Sequence, residues 1–241
     1  MSSRKVIFSP YLGGYLGEVR LPLFILFAFT CLSAWAQTIC IDPGHPSEVG
    51  PGTKGKLITE MRAAWLVALD LKSELQAAGY RVVMVKTSEK QFLTNKNRAG
   101  IANEAKADLL IRLHCDHAPG GRGFATFFAD KQGRDGKKVG PPTAVIAKLK
   151  TFGPKFHRAV IASLNGLLPD RGYHSDRATK VGGQYGALKG SIYSEVPSIL
   201  VEMAVLNSSK DEAVMASDSG RKAVAKAIRR GIEAIIPVQA K

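Results

Sequence analysis

Apolar residues follow two patterns along the chain, in short runs bounded by turn residues and in longer stretches where they recur every three or four positions. The short runs predict buried strands, and the longer stretches predict amphipathic helices. The predicted strands cover residues 38–41, Tyr80–Val85, Leu109–Cys115, Gly123–Ala129 and Ser198–Ala204. The predicted helices cover Glu60–Ala78, Asn95–Ala105, Phe156–Leu168 and Ser219–Ile236.

The alternation of strands with helices is typical of α/β folds whose neighbouring strands are parallel. We therefore predict an α/β fold with a single domain, in which a mostly parallel or mixed twisted sheet of about six strands is flanked by helices on both faces. Two stretches carry no sustained hydrophobic period. We expect a polar insertion over residues 130–154 and a loop over residues 169–185.

The first 36 residues have the pattern of a secretory signal peptide. The basic residues Arg4, Lys5 and Arg20 precede an apolar run over residues 21–32, and Ala34-Trp35-Ala36 offers an A-x-A cleavage site. The run is shorter than the roughly 20 residues that a membrane span needs. We predict a signal peptide over residues 1–36, one domain over residues 37–241, export to the periplasm or the extracellular cell wall, and no stable membrane span. An uncleaved anchor is the alternative.

Basic residues outnumber acidic ones by 34 to 20, giving a formal net charge of +14. Such an excess favours association with polyanions. Export argues against nucleic acid and leaves anionic wall polymers as a possible partner. Outside the leader the chain has two cysteines, Cys40 and Cys115, both in apolar runs. Two buried thiols and one disulfide between them are both open.

The candidate chemistry lies at the ends of predicted strands. His45 follows the Asp-Pro-Gly turn after the first strand, and His114 lies near the end of the third. Open α/β sheets bind ligands at the carboxyl ends of their strands. Glu60 begins a predicted helix, where it is either a ligand or an acid favoured by the helix dipole. Glu202 interrupts an apolar strand, where a carboxylate is costly unless it pairs with a cation or serves a cleft.

Two histidines and one glutamate form a ligand set that catalytic zinc accepts, although spacing alone does not prove a metal site. Several further motifs occur in a fixed order. They are Asp42-Pro43-Gly44-His45, Gly79-Tyr80-Arg81-Val82, Arg98, Ala102-Asn103, Ala107-Asp108 continuing to Asp116, Arg122-Gly123, and Pro197 to Asn207. From Ile39 to about Asp211 the chain resembles the zinc-dependent N-acetylmuramoyl-L-alanine amidases of the Amidase_3 type, which cleave peptidoglycan.

The resemblance implies one Zn²⁺ ion with His45, Glu60 and His114 as its ligands and Glu202 as the catalytic acid or base. It implies hydrolysis of the amide between the lactyl group of N-acetylmuramic acid and L-alanine, in peptidoglycan or muropeptides. Residues 37–241 would then be the catalytic domain, and we expect a monomer. No substrate-binding residue is assigned.

The chain departs from the family pattern at a few positions, among them Arg112, where a small residue is usual, and Cys115, where alanine is usual. Neither removes a predicted ligand, so the departures bear on the rim of the pocket and on substrate preference. Two other functions stay open. One is a zinc peptidase that cuts within the stem peptide, and the other is a non-catalytic basic protein that binds the wall.

Overall fold

Strands and helices alternate through residues 36–238, the part of the chain that the computed structural model describes. The strands are β1 (Thr38–Pro43), β2 (Arg81–Met84), β3 (Leu109–Asp116), β4 (Phe124–Phe128), β5 (Gly133–Asp135), β6 (Lys138–Gly140), β7 (Asp170–Ser175) and β8 (Ser198–Val205). The helices are α1 (Glu60–Ala77), α2 (Asn95–Glu104), α3 (Thr143–Leu164), α4 (Lys180–Tyr185), α5 (Lys189–Ile192), α6 (Ser209–Ala216) and α7 (Asp218–Ile235). The predicted signal peptide lies outside the described residues, apart from Ala36.

Six of these strands form one mixed sheet in the order β2-β1-β3-β8-β4-β7. β1 is parallel to β2 and β3, and β3 is parallel to β8. β4 is antiparallel to β8 and parallel to β7, whereas β5 and β6 form a separate hairpin. The prediction of an α/β fold with a mixed sheet of about six strands is therefore confirmed.

The two faces of the sheet bury different sets of side chains, because successive strand residues point to opposite faces. Ile39 and Ile41 of β1 belong to the large core cluster that includes residues of α1, α3 and α7. Cys40 and Leu110 belong to a smaller cluster with Ala102 of α2. Helices thus cover both faces, as predicted. Among the described residues, no helix combines the length and apolar character needed to cross a membrane.

The polar insertion predicted for residues 130–154 is wrong in its second half, because α3 already begins within it. Residues 130–154 are rich in lysine, glycine and proline and show no sustained hydrophobic period, so the predicted helix begins only at Phe156. In the structure Pro154 lies inside α3. A Cβ atom at residue 153 would lie 2.1 Å from the ring of Phe128, so glycine lets the helix pack closely against β4.

The loop predicted for residues 169–185 is also wrong, since it contains β7, a short 3-10 turn over Asp176–Ala178, and α4. β7 is at the edge of the sheet, and none of its residues is buried. An edge strand of this kind has no apolar alternation for sequence reasoning to detect. α4 is six residues long, too short to reveal a helical period.

Candidate metal centre

A sharp turn at the end of β1 fixes the position of His45. The backbone N–H of Gly44 donates to the carbonyl of Leu113 at 2.9 Å, which ties the turn to β3. A Cβ atom at residue 44 would lie 2.6 Å from the ring of His114, so the close approach needs glycine. His45 itself has a φ of 53°, a left-handed conformation that costs a non-glycine residue about 1–3 kcal/mol. Its carbonyl accepts a hydrogen bond from the ammonium group of Lys86.

The imidazole of His45 is oriented by a backbone carbonyl. Its Nδ1 lies 2.9 Å from the carbonyl oxygen of Gly50. A carbonyl only accepts hydrogen bonds, so Nδ1 must carry a proton. Nε2 lies 3.2 Å from Oε1 of Glu60. In the neutral tautomer Nε2 therefore carries a free lone pair. Metal-binding histidines are commonly oriented by such a hydrogen bond from the other ring nitrogen to a carbonyl.

Glu60 is the first residue of α1, a position set by the Thr59 side chain, which caps the helix. Its side chain is buried, and both of its oxygens are held by the backbone. Oε2 accepts from the N–H of Thr53 at 2.7 Å, and Oε1 accepts from the N–H of Cys115 at 3.2 Å. Oε1 also lies 2.8 Å from Nδ1 of His114. The carboxylate is therefore locked between α1 and the end of β3.

The structure brings together the three residues that the sequence singles out as ligands. One ligand-type atom from each of His45, Glu60 and His114 lies within 4.8 Å of the other two. Two atoms bound to one tetrahedral zinc ion at about 2.0–2.1 Å would themselves be roughly 3.4 Å apart. The contact between Glu60 and His45, at 3.2 Å, is close to that spacing, whereas the contact with His114, at 2.8 Å, is a hydrogen bond and is shorter. This group can hold a metal ion.

The protonation pattern of the group also fits a cation. Burial lowers the pKa of His114, and its Nε2 is buried with no hydrogen-bond partner in the described chain. Burial also lowers the pKa of His45, but the hydrogen bond and the charge of Glu60 outweigh burial and raise that pKa above its ordinary value. Burial likewise opposes ionisation of Glu60, yet the two imidazoles hold its pKa well below the usual range. A metal ion bound to this group would displace the protons on the imidazole nitrogens that face Glu60.

Glu202 lies beside this group and outside it. It is directly opposite His114 in the register of β3 and β8. Its Oε2 is buried and has no hydrogen-bond partner within residues 36–238. Burial first, and then the negative charges of Glu60 and Asp116, raise the pKa of Glu202 well above its ordinary value. Such a carboxyl group is suited to proton transfer near neutral pH.

A buried network of charged residues stabilises the turn that carries His45. Asp42 is fully buried, and its two oxygens accept from Arg98 Nη1 at 2.5 Å and from Arg112 Nε at 3.0 Å. Arg98 also donates to the carbonyls of Pro43 and Pro46 at 2.9 and 2.8 Å. Burial opposes ionisation of Asp42, but the two guanidinium groups hold its pKa below the usual value. Arg98 thereby fixes both ends of the turn.

A cleft of about 220 Å³ opens beside His45, His114 and Glu202, and its other lining residues include Arg112, Lys180 and Lys189. Sequence reasoning connected Arg112 with the rim of the pocket but assigned neither lysine to the site. Arg112 gives a signal, since it is a charged residue within the apolar run of β3. Lys180 and Lys189 lie at the starts of two very short helices, where no pattern distinguishes them from surface lysines.

The remaining histidines and the cysteines lie outside the metal group. His157 is buried, with its ring nitrogens 3.0 Å from Thr126 Oγ1 and 2.8 Å from Asp170 Oδ1. These contacts indicate a structural role for His157. Cys40 and Cys115 are both free and buried, so the disulfide alternative is wrong.

The comparison with protein families gives one match over most of the chain. The family Amidase_3, described as N-acetylmuramoyl-L-alanine amidase, matches residues 39–234. The matched segment contains His45, Glu60, His114 and Glu202.

Two curated relatives carry the same enzyme name. An N-acetylmuramoyl-L-alanine amidase of Mycobacterium tuberculosis is 28% identical over 251 residues, covering 94% of this chain and 97% of the relative. The N-acetylmuramoyl-L-alanine amidase AmiC of Neisseria meningitidis is 24% identical over 230 residues, covering 82% of this chain and 52% of the relative. The chain thus spans about half the length of the Neisseria relative and nearly all of the mycobacterial one.

Solved structures share the fold. The catalytic domain of the amidase CwlV from Paenibacillus polymyxa aligns with a TM-score of 0.66 at 21% identity, covering 84% of this chain and 99% of that one. The amidase Ami1 from Mycobacterium smegmatis aligns with a TM-score of 0.67 at 24% identity, covering 83% of this chain and 97% of that one. The family match over residues 39–234 covers most of the sequence, so the chain belongs to the Amidase_3 family of N-acetylmuramoyl-L-alanine amidases.

Proposed function

We propose that this amidase cleaves the amide bond between the lactyl group of N-acetylmuramic acid and the L-alanine of the stem peptide. In this proposal His45, Glu60 and His114 hold one zinc ion, and Glu202 is the general base. The observation that carries the proposal is the convergence of the three ligand atoms within 4.8 Å, next to a cleft that Glu202 lines. Family membership supports the choice of reaction.

The donor set favours zinc over the hard cations. Two imidazoles and one carboxylate leave one coordination position open, as is typical of catalytic zinc sites. Magnesium and calcium prefer sites built from oxygen ligands. When bound, zinc supplies Lewis-acid polarisation of the scissile carbonyl and a water that ionises near neutral pH. The backbone contacts of His45 and Glu60 hold two of the three ligands in place.

Glu202 supplies the proton transfer in the proposed reaction. Its carboxylate takes a proton from the attacking water as the carbon–oxygen bond forms. It then returns that proton to the nitrogen as the carbon–nitrogen bond breaks. The products are a free lactyl carboxylate and a peptide with a free amine on L-alanine. A raised pKa suits both steps, because the same group must accept and donate near neutral pH.

We also propose that residues 1–36 are a signal peptide and that the enzyme acts in the periplasm or at the extracellular wall. The apolar run over residues 21–32 and the Ala34-Trp35-Ala36 site support this proposal. Expression of the full chain in a bacterial host and sequencing of the exported protein test it. We expect Gln37 as the first residue; an exported chain that still begins at residue 1 or 2 would contradict the cleavage.

Hydrolysis of purified peptidoglycan with product analysis tests the proposed reaction. We expect sugar chains without peptide and free amines on L-alanine, with the activity lost on chelation and restored by zinc. Cleavage within the stem peptide would instead identify a wall peptidase. Binding to the wall with no hydrolysis at any zinc concentration would identify a non-catalytic protein.

A further inference from the structure

We infer that Arg112, assisted by Lys180 and Lys189, forms a carboxylate-binding site in the cleft that selects stem peptides by their second residue. The site would bind the free α-carboxylate of a γ-linked D-glutamate and would discriminate against the corresponding amide, isoglutamine. This inference rests on the proposed function, because it concerns the peptide side of the same scissile bond.

Arg112 brings an excess of buried positive charge to the site. Its side chain is 4% exposed, that of Arg98 is 1% exposed, and both guanidinium groups share the single carboxylate of Asp42. A buried charge is costly unless it is paired. Asp42 is the carboxylate in direct contact with the two guanidinium groups among residues 36–238, and the charge of Arg112 also acts on the buried Asp176 and Glu202, so Arg112 can still attract an incoming anion.

Arg112 lines the cleft, and some of its N–H donors have no hydrogen-bond partner among the described residues. A guanidinium group has five N–H donors. Nε donates to Asp42, and Nη2 donates to the side-chain oxygen of Asn95. Among the described residues, Nη1 has no hydrogen-bond acceptor. Asn95 is held in turn by Glu48, to which its backbone N–H donates at 2.9 Å and its side-chain amide at 3.0 Å. The guanidinium group is therefore held rigidly at the cleft.

The other charged groups of the cleft favour an anion as well. Lys180 is exposed, and within the described part of the chain no carboxylate lies within 4.0 Å of its ammonium group. Lys189 lies 3.5 Å from Asp135 and lines the same cleft. Glu202 is the one carboxylate among the residues that line it. Arg112 and Lys189 each have a carboxylate partner, so within the described residues Lys180 contributes the unpaired positive charge of the cleft, which attracts anionic ligands.

The spacing along β3 selects which carboxylate of the substrate reaches Arg112. Arg112 and His114 are two residues apart on one strand, which separates them by about 6.6–6.8 Å and points both side chains to the same face. An extended peptide advances about 3.3–3.6 Å per residue, so a group on the second residue lies roughly 7 Å from the scissile carbonyl.

The substrate has its first free carboxylate at that distance. In a muropeptide the lactyl carboxyl group and the carboxyl group of L-alanine are both consumed in amide bonds. The α-carboxylate of the γ-linked D-glutamate is the first anionic group beyond the scissile bond. The cleft is also smaller than the ~300–1,000 Å³ of ordinary ligand pockets, so it would receive only the residues next to that bond.

The test compares two muropeptides that differ only in whether the second residue is D-isoglutamate or D-isoglutamine. For the zinc-loaded wild type we expect kcat/KM to be at least about tenfold higher for the isoglutamate substrate, the size of a charge-assisted hydrogen bond. Direct binding gives a second readout. We expect the dipeptide L-alanyl-γ-D-glutamate to bind the metal-free protein at least about tenfold more tightly than its α-amide.

Three variants locate the preference. Arg112→Gln should bring the ratio of the two kcat/KM values close to one. Lys180→Gln, at an exposed position, should lower the ratio by about two- to threefold. Lys148→Gln, at an exposed position of α3 outside the cleft, makes the same charge change and should leave the ratio at the wild-type value.

The outcomes separate this inference from the proposed function. Equal cleavage of both muropeptides by the wild type would overturn the inference and leave the amidase proposal intact. Cleavage of neither would overturn the proposed function, and the dipeptide binding would then decide the carboxylate site. If Arg112→Gln fails to fold, as judged by its thermal unfolding, the Lys180→Gln and Lys148→Gln ratios and the dipeptide binding decide it. A preference unchanged in Lys180→Gln and an equal affinity for the two dipeptides would refute it.

Discussion

Glu60 and Glu202 lie at the same end of the sheet, but their surroundings are opposite. Glu60, at the start of α1, accepts hydrogen bonds from the backbone of Thr53 and Cys115 and contacts two imidazoles, and its pKa is lowered. Glu202, on β8, has a buried oxygen with no partner among residues 36–238, and its pKa is raised. Burial opposes ionisation of both groups. The contrast shows that hydrogen-bond partners, more than burial, decide which carboxyl group stays ionised.

Glu60→Gln tests the first half of this contrast and should have the largest effect. The substitution keeps the size of the side chain but removes the negative charge that faces both histidines. We expect zinc affinity to fall by at least about 100-fold, beyond the 10–100-fold typical of changes in groups that merely orient ligands. Metal analysis after dialysis, together with hydrolysis of peptidoglycan, measures the loss. A variant that retains one zinc ion and full activity would show that Glu60 is only a structural acid.

Glu202→Gln tests the second half, with an effect that is confined to turnover and leaves the metal in place. We expect kcat to fall by about 10²–10⁴, the usual contribution of a general base, while zinc content stays at the wild-type level. The matched control is Glu104→Gln, at an exposed position at the end of α2, which should leave both quantities unchanged. Joint loss of zinc and activity in Glu202→Gln would assign Glu202 to the metal ligands and end the contrast.

The pH dependence of zinc binding sharpens the contrast with the smallest effect. Glu60 raises the pKa of His45 above 6.5, so the imidazole carries an extra proton below that raised value and zinc must displace it. Zinc affinity should be constant above the raised pKa and fall by up to about tenfold per pH unit as the pH drops through it. Competition with a chelator of known affinity across this range measures the slope. Glu202→Gln should give the same slope, whereas a shallower one would mean that Glu202 also titrates with the metal.

The strands that form the centre of the sheet were predictable because they are buried on both faces. Runs such as that over Leu109–Cys115 are almost wholly apolar, and they appear as β3 and its neighbours with boundaries shifted by one or two residues. The start of α3 was not predictable from local residues. Gly153 and Pro154 resemble a helix break, yet α3 continues through both residues, and Gly153 lies against the ring of Phe128.

Some residues of the candidate site were likewise predictable from the sequence, and others were not. His45 and His114 end strands, and Glu202 is a charge within an apolar run, so their sequence positions drew attention to them. Spacing alone left the role of Glu60 open, and the family resemblance was needed to group it with the histidines. The cationic lining of the cleft was missed because Lys180 and Lys189 come into place through α4 and α5, two helices of six and four residues. Tertiary contacts, rather than local pattern, fix their location.

The left-handed backbone of His45 has a consequence for protein engineering. A designer who copies only the three candidate ligand side chains onto another α/β scaffold would lose the conformation that aims the first of them. The carbonyl of Gly50, the ammonium group of Lys86 and the guanidinium group of Arg98 all act on that short segment. A graft of this site should therefore include the whole loop together with these three contacts. The loop conformation of such a graft should be checked before any metal is added.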